Sequence, residues 1–358
     1  MNNKDKKRLT RFSLTVFGFL LLAILIHRVG PGEVWDNIRQ VGYYFILTCF
    51  IGLGWLFLQS MAWAIVQSAF QPIPFWLLLK ARIMAEGVTT LVPMSANVGG
   101  EAARAIIIRQ NCPLREGIPG ILFDKTLESF ASLVFLTTGL FISVAYLKIP
   151  EKYKTSALIV LGSITVLLTV MIILQLKGIH GILRWLARVF PRSRQWFLEK
   201  EEILRQFDRN MRTLFRHSRL KLAISFLLHL ASRWLGVLEV YVIVRALNWP
   251  APLTRVLFMS VFVVIVNTAL FLIPGQWGAA EGASLLAATT VGYPPAVGLS
   301  LGLVRRARKV VFALLTIILM LTGKQKLKLS TGQIETEENL AGAGEDKSGL
   351  PPEIKNRD

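Results

Sequence analysis

The feature that most constrains this chain is an apolar run of membrane-spanning length that keeps returning. YYFILTCFIGLGWLFLQSMAWAIV (43–66) and TSALIVLGSITVLLTVMIILQL (155–176) contain no Asp, Glu, Lys or Arg. About 20 helical residues at about 1.5 Å each cross a hydrocarbon core of ~30 Å. Only 18% of the 358 residues are charged and 53% are hydrophobic, which is outside the usual range of a soluble domain. The pattern predicts an all-α polytopic membrane protein.

The net charge of +19 raises nucleic acid as a partner. Its largest block, however, is one connector between membrane segments, where Lys and Arg report a cytoplasmic face and contact with anionic lipid. Nucleic acid is therefore not expected. Cys49 and Cys112 lie far apart, and His27, His180, His217 and His229 are scattered. No zinc-type spacing results, so neither a metal nor a cofactor is expected.

Charge bias sets a topology. Five Lys/Arg in residues 1–11 place that segment in the cytoplasm, and FSLTVFGFLLLAILI runs on without a small-x-small cleavage site, as a retained first helix. The first membrane half covers 12–176. The connector 177–221 carries twelve Lys/Arg, with apolar residues at Trp196, Ile203, Phe207, Met211 and Leu214, and reads as an amphipathic cytoplasmic helix. The second half covers 222–323, and 324–358 reads as a polar, disordered cytoplasmic tail. About seven full spans result. Two segments, 75–110 and 255–298, start and end on one face and are broken by Pro and Gly, the pattern of re-entrant hairpins.

Those two segments match each other. LVPMSANVGGEA (91–102) and LIPGQWGAAEGA (272–283) share Leu, a β-branched residue, Pro, small residues and then Glu. Pro93, Gly99 and Gly100 break the first hairpin tip; Pro274, Gly275 and Gly278 break the second. Charges recur downstream, Asp124 lying 23 residues after Glu101 and Arg305 lying 24 after Glu281. Similar units of opposite orientation form an inverted repeat, the arrangement that puts a binding site near the bilayer midplane.

The charged residues have competing explanations. Glu101 and Glu281 fit helix N-termini, but that gain of ~0.3–1 kcal/mol is below the ~2.5–3.5 kcal/mol cost of a carboxylate at membrane depth. A partner or water is needed, and Arg104 is one turn from Glu101. Asp124 and Glu128 lie on one helical face and repel, so they require a cation from elsewhere, a proton on one of them, or an interfacial position. Arg233 and Glu239 read as cross-helix structural pairs. Arg305, Arg306, Arg308 and Lys309 precede an apolar run of only thirteen residues (310–322). Either they face a cavity and meet carboxylates or an anion, or the local topology differs.

Together, the SMAWAIV end of the second helix, Pro93 with GGEA and Arg104, the Asp124 segment, the basic connector, Pro274 with Glu281 and the Arg305 segment resemble the integral-membrane, flippase-like domain of lysylphosphatidylglycerol synthases. The resemblance spans about residues 9–325 and extends to a subgroup associated with hopanoid biosynthesis. It implies movement of a phospholipid or other amphiphilic lipid between leaflets of the cytoplasmic membrane. Lys125 stands where the family usually has Arg beside the first-half Asp. Only a short polar tail follows residue 324, so aminoacyl transfer is not expected, and the chain is not expected to be an enzyme.

The expectation is a lipid translocator for an anionic headgroup, with Arg104, Arg305, Arg306 and Asn97 binding it. Glu101, Asp124, Glu128 and Glu281 would pair with these groups or couple to protons. Membrane lipids are the expected partners, with a lipid-modifying enzyme as a further candidate. A membrane enzyme or accessory subunit acting on a lipid-linked substrate, and a scaffold docking through the connector, are the alternatives.

Overall fold

The computed structural model describes residues 24–91, 99–109, 111–147, 219–269 and 278–322, with eight helical residues between 159 and 170. The connector 177–218, most of the first predicted span, the tail from 323 and Pro93, Asn97, Pro274 and Gly275 lie outside these residues. The chain divides into two units, Met1–Ile317 and Ile318–Asp358; of the second, only the helical residues 318–322 are described.

Among the described residues every labelled element is a helix: α1 (Pro31–Val41), α2 (Tyr44–Gln67), α3 (Phe75–Leu91), α4 (Gly99–Ile108), α5 (Leu114–Tyr146), α6 (Arg219–Ala246), α7 (Leu253–Ala269), α8 (Ala279–Thr290) and α9 (Pro295–Thr322). The spans Tyr44–Gln67, Glu116–Tyr146 and Arg219–Ala246 are long and apolar enough to cross a membrane. The short helix α1 was not foreseen. It follows Gly30 at φ 106, and Pro31 opens it where a missing N–H costs nothing.

Polarity is distributed inside-out. α2 buries Thr48, Gln59, Ser60 and Gln67 while Phe50 and Phe57 face outward. α6 buries Ser225, His229, Ser232 and Glu239 while Leu227 and Leu238 are exposed. Lipid makes apolar side chains stable on the outside, whereas each polar group must find a partner within the bundle.

The helices repeat in two sets of four, α2–α5 and α6–α9. Glu101 and Glu281 are each the third residue of a short helix, α4 and α8. Asp124 and Arg305 are each the eleventh residue of the long helix that follows, α5 and α9. The contacts repeat as well. α5 packs on α6 and α7; its counterpart α9 packs on α2, through Arg308 and Phe312 at Gly52, and on α3, through Thr316 at Gly87. The most extensive interface joins the counterparts α2 and α6. These two run antiparallel: Gly54 faces Leu235, and Ser225 Oγ donates to the Ala62 carbonyl at 3.2 Å.

One boundary differs from the sequence expectation, and two others become precise. Gly99 and Gly100 form the first two residues of α4, with Glu101 in its first turn, and a Cβ on Gly100 would lie 2.8 Å from Thr89 Cγ2, so this glycine lets α4 lie close on α3. The second helix pair closes between Thr290 and Pro295, not at 298. The thirteen-residue run 310–322 continues the helix that carries the basic cluster. It is the C-terminal half of α9, which passes unbroken through Arg305–Lys309 because Arg and Lys are good helix formers.

Candidate functional site

Two groups of charged side chains occupy the bundle interior. The first is centred on Asp124 and Glu128, one turn apart on α5 and both buried. Three cations reach them from other helices. Arg82 of α3 donates to Asp124 Oδ2 at 3.2 Å and to Glu128 Oε2 at 3.1 Å. Arg104 of α4 donates to Asp124 Oδ2 at 2.6 Å and to Glu101 Oε2 at 2.7 Å. Arg233 of α6 reaches Glu128 Oε1 at 3.3 Å. The cations that these like-charged carboxylates require thus come from three helices.

Further side chains hold the geometry. Gln59 Oε1 accepts from Arg82 Nε at 2.9 Å, and the Trp63 ring lies 3.9 Å from the Arg104 guanidinium, a cation–π contact. His229 Nε2 is 3.0 Å from Asp124 Oδ1, while its Nδ1 is buried without a partner. A proton on Nε2 and none on Nδ1 satisfies both observations, since a buried N–H without an acceptor is costly. Lys125 lies 3.2 Å from Glu128 Oε2 and 3.5 Å from Glu101 Oε1, and its side chain is 44% exposed.

The second group surrounds a cavity of about 420 Å³ lined by α2, α3 and α5–α9. Arg305 Nε donates to Glu239 Oε2 at 3.0 Å, and Arg308 Nε approaches Glu239 Oε1 at 2.7 Å as a charge contact rather than an aligned hydrogen bond. Arg306 grips Glu281 with two donors, Nη2 at 3.0 Å from Oε2. Lys309 and Glu86 complete the charged lining, together with Arg233, which belongs to both groups. Trp55, Phe135, Val263 and Val264 supply an apolar wall, and Ser232, Ser260 and Asn267 add polar groups.

Of the residues singled out by sequence, Arg305, Arg306 and Glu281 line this cavity. Glu101, Arg104, Asp124 and Glu128 gather instead in the first group and lie outside the lining, Arg104 being 1% exposed under Trp63. Gly278 precedes α8 at φ 72, a conformation that glycine adopts without strain. Arg233 and Glu239, expected as structural pairs, are paired and also face the cavity. Arg82, Gln59, Trp63 and Glu86 were missed, and His229 was noted only as one of four scattered histidines. The available signal was a polar or charged residue inside an apolar run, shared by Arg82 and His229.

The family model of the lysylphosphatidylglycerol synthase TM region matches residues 12–317. A "UPF0104 membrane protein" of Methanothermobacter thermautotrophicus is 23% identical over 309 residues, covering 82% of this chain and 89% of that one. No solved structure matches the chain.

Proposed function

The chain belongs to the family of the lysylphosphatidylglycerol synthase TM region, and from that membership we propose that this integral membrane protein moves an amphiphilic lipid with an anionic headgroup between leaflets. The observation that carries the reading is the cavity of about 420 Å³ with five cations and an apolar wall. Arginine forks suit phosphate oxygens because they donate parallel hydrogen bonds. Trp55, Phe135, Val263 and Val264 would receive the first part of the acyl or isoprenoid chain.

In this reading α3–α4 and α7–α8 are re-entrant hairpins entering from opposite faces, and with the segments outside the described residues the chain has about seven full spans. Both termini are cytoplasmic and the membrane is the cytoplasmic one. The cavity lies where the two sets of helices meet, so rocking one set against the other would expose it alternately to each side. Arg305 and Arg306 hold the headgroup, while Glu239 and Glu281 keep those arginines in place when it leaves. The movement needs no covalent step, so no catalytic residue is assigned. A lipid-modifying enzyme would supply or consume the lipid.

The test is a leaflet-exchange assay with fluorescent lipid in proteoliposomes of the full chain. Arg305→Ala and Arg306→Ala are expected to cut exchange at least tenfold while the protein remains monodisperse. Unchanged exchange in both variants would exclude this cavity as the path. Chemical alteration of the lipid by the purified protein would instead favour an enzyme.

A further inference from the structure

The charges of the two groups do not balance equally. In the first, Arg82, Arg104 and Lys125 face Glu101, Asp124 and Glu128, three cations against three carboxylates, with Arg233, which also reaches Glu128, counted once, at the cavity that it lines. Around the cavity, Arg233, Arg305, Arg306, Arg308 and Lys309 face Glu86, Glu239 and Glu281. Five cations against three carboxylates leave a surplus of two positive charges, among the described residues, and all of it borders the cavity, Lys309 from an exposed position. Two of the three lining carboxylates are already engaged: Glu239 holds Arg305 and Arg308, and Glu281 holds Arg306 with both oxygens. Charge at membrane depth is expensive until it is neutralised.

From this we infer that the cavity takes a dianionic phosphate headgroup, a phosphomonoester on an apolar chain, in preference to a singly charged phosphodiester. The inference rests on the reading of the cavity as a headgroup site and narrows its ligand. A phosphodiester would leave one of the two positive charges unmatched, whereas a phosphomonoester above its second ionisation, near pH ~6 for a phosphate ester, matches both. Arg233 couples the two groups. It reaches Glu128 at 3.3 Å while lining the cavity, and its Nε is buried without a partner. An anion in the cavity would supply that partner without unbalancing the first group.

The experiment is displacement of radiolabelled phosphatidic acid from the full chain in nanodiscs, with phosphatidic acid, phosphatidylglycerol of the same acyl chains, or inorganic phosphate as competitor. At pH 8 phosphatidic acid is expected to compete at least tenfold better than phosphatidylglycerol. The preference should shrink towards equality at pH 5, where the monoester carries one charge. Lys309→Gln should reduce the preference at pH 8, and if that variant does not fold, the pH series on the unaltered chain decides alone. Equal competition by the two lipids at pH 8 overturns the dianion inference and leaves the headgroup site standing. If neither lipid is retained, the site itself falls. Displacement by inorganic phosphate at the same concentration as phosphatidic acid overturns the lipid and assigns the cavity to a free anion.

Discussion

Asp124 and Arg305 occupy the same position in two equivalent long helices, yet they sit in different surroundings. Asp124 is fully buried and meets Arg82, Arg104 and His229 within 3.2 Å. The Arg305 side chain is 20% exposed, has one carboxylate partner in Glu239, and borders the cavity. The sign inversion continues along the helices, with Glu128 of α5 matched by Lys309 of α9. One backbone plan thus carries two chemistries. The acid-centred copy is balanced and closed, and joins four helices; the base-centred copy is left with positive charge facing open space. A repeat divided in this way can keep one half as a rigid reference while the other presents donors to a ligand.

The sharpest way to break that comparison is to remove the centre of the closed group. Asp124→Asn leaves Arg82 and Arg104 buried with an unmatched charge, and breaking a buried pair from one side costs about 3–5 kcal/mol. Thermal unfolding in nanodiscs should show a larger loss of stability than a single substitution at Arg306 or Lys125 produces. Adding Arg104→Gln to it should recover part of the loss, because the orphaned guanidinium goes with its partner. If Asp124→Asn unfolds at the wild-type temperature, the closed group does not hold the helices together.

Arg306→Gln tests the other half. It removes both donors from Glu281, whose carboxylate is buried beside the cavity, and the expected cost is about 1.5–3 kcal/mol, the range for hydrogen bonds to a charged group. The stability loss should stay below that of Asp124→Asn, while lipid retained through purification, read by native mass spectrometry, should fall sharply. A stability loss equal to that of Asp124→Asn, with lipid retention intact, would make both groups structural and erase the distinction between them.

How much of this was legible beforehand depends on the kind of contact. Glu101, Glu281, Asp124 and Arg305 stood out because charge inside apolar runs is conspicuous, and because it recurred beside matched Pro and Gly. The partners were harder to read. Arg82 meets Asp124 across 42 positions and His229 meets it across 105, so both pairings depend on which helix faces turn inward, a property of packing rather than of local pattern. The spacing of Arg104 to Glu101 predicts their pairing, and the pair forms at 2.7 Å; Trp63 and Asp124, which enclose Arg104, come from other helices and leave no local signal. For Arg305–Lys309 the sequence left a cavity and a different local topology open, because thirteen apolar residues after the cluster are too few to span. Glu239 and Glu281 pair with Arg305, Arg306 and Arg308, and Arg and Lys favour the helix, so nothing local ends it there.

Lys125 gives the smallest effect and the finest test of the comparison. It is the counterpart of Arg306, each the twelfth residue of its long helix and each beside the Glu of the preceding short helix. Its side chain is 44% exposed, however, against 17% for Arg306. Its removal also orphans neither acid. Glu101 keeps Arg104 at 2.7 Å, and Glu128 keeps Arg82 at 3.1 Å and Arg233 at 3.3 Å. Lys125→Gln should therefore cost no more than about 1 kcal/mol, the range of an exposed ion pair, and the loss should shrink in high salt. It would still leave the first group one positive charge short, drawing Arg233 towards Glu128 and away from the cavity. The expected signature is near-wild-type thermal unfolding together with a measurable weakening of anion binding. A stability loss matching that of Arg306→Gln would show instead that the two halves use this position alike, and that the division between them lies only in Asp124 and Arg305.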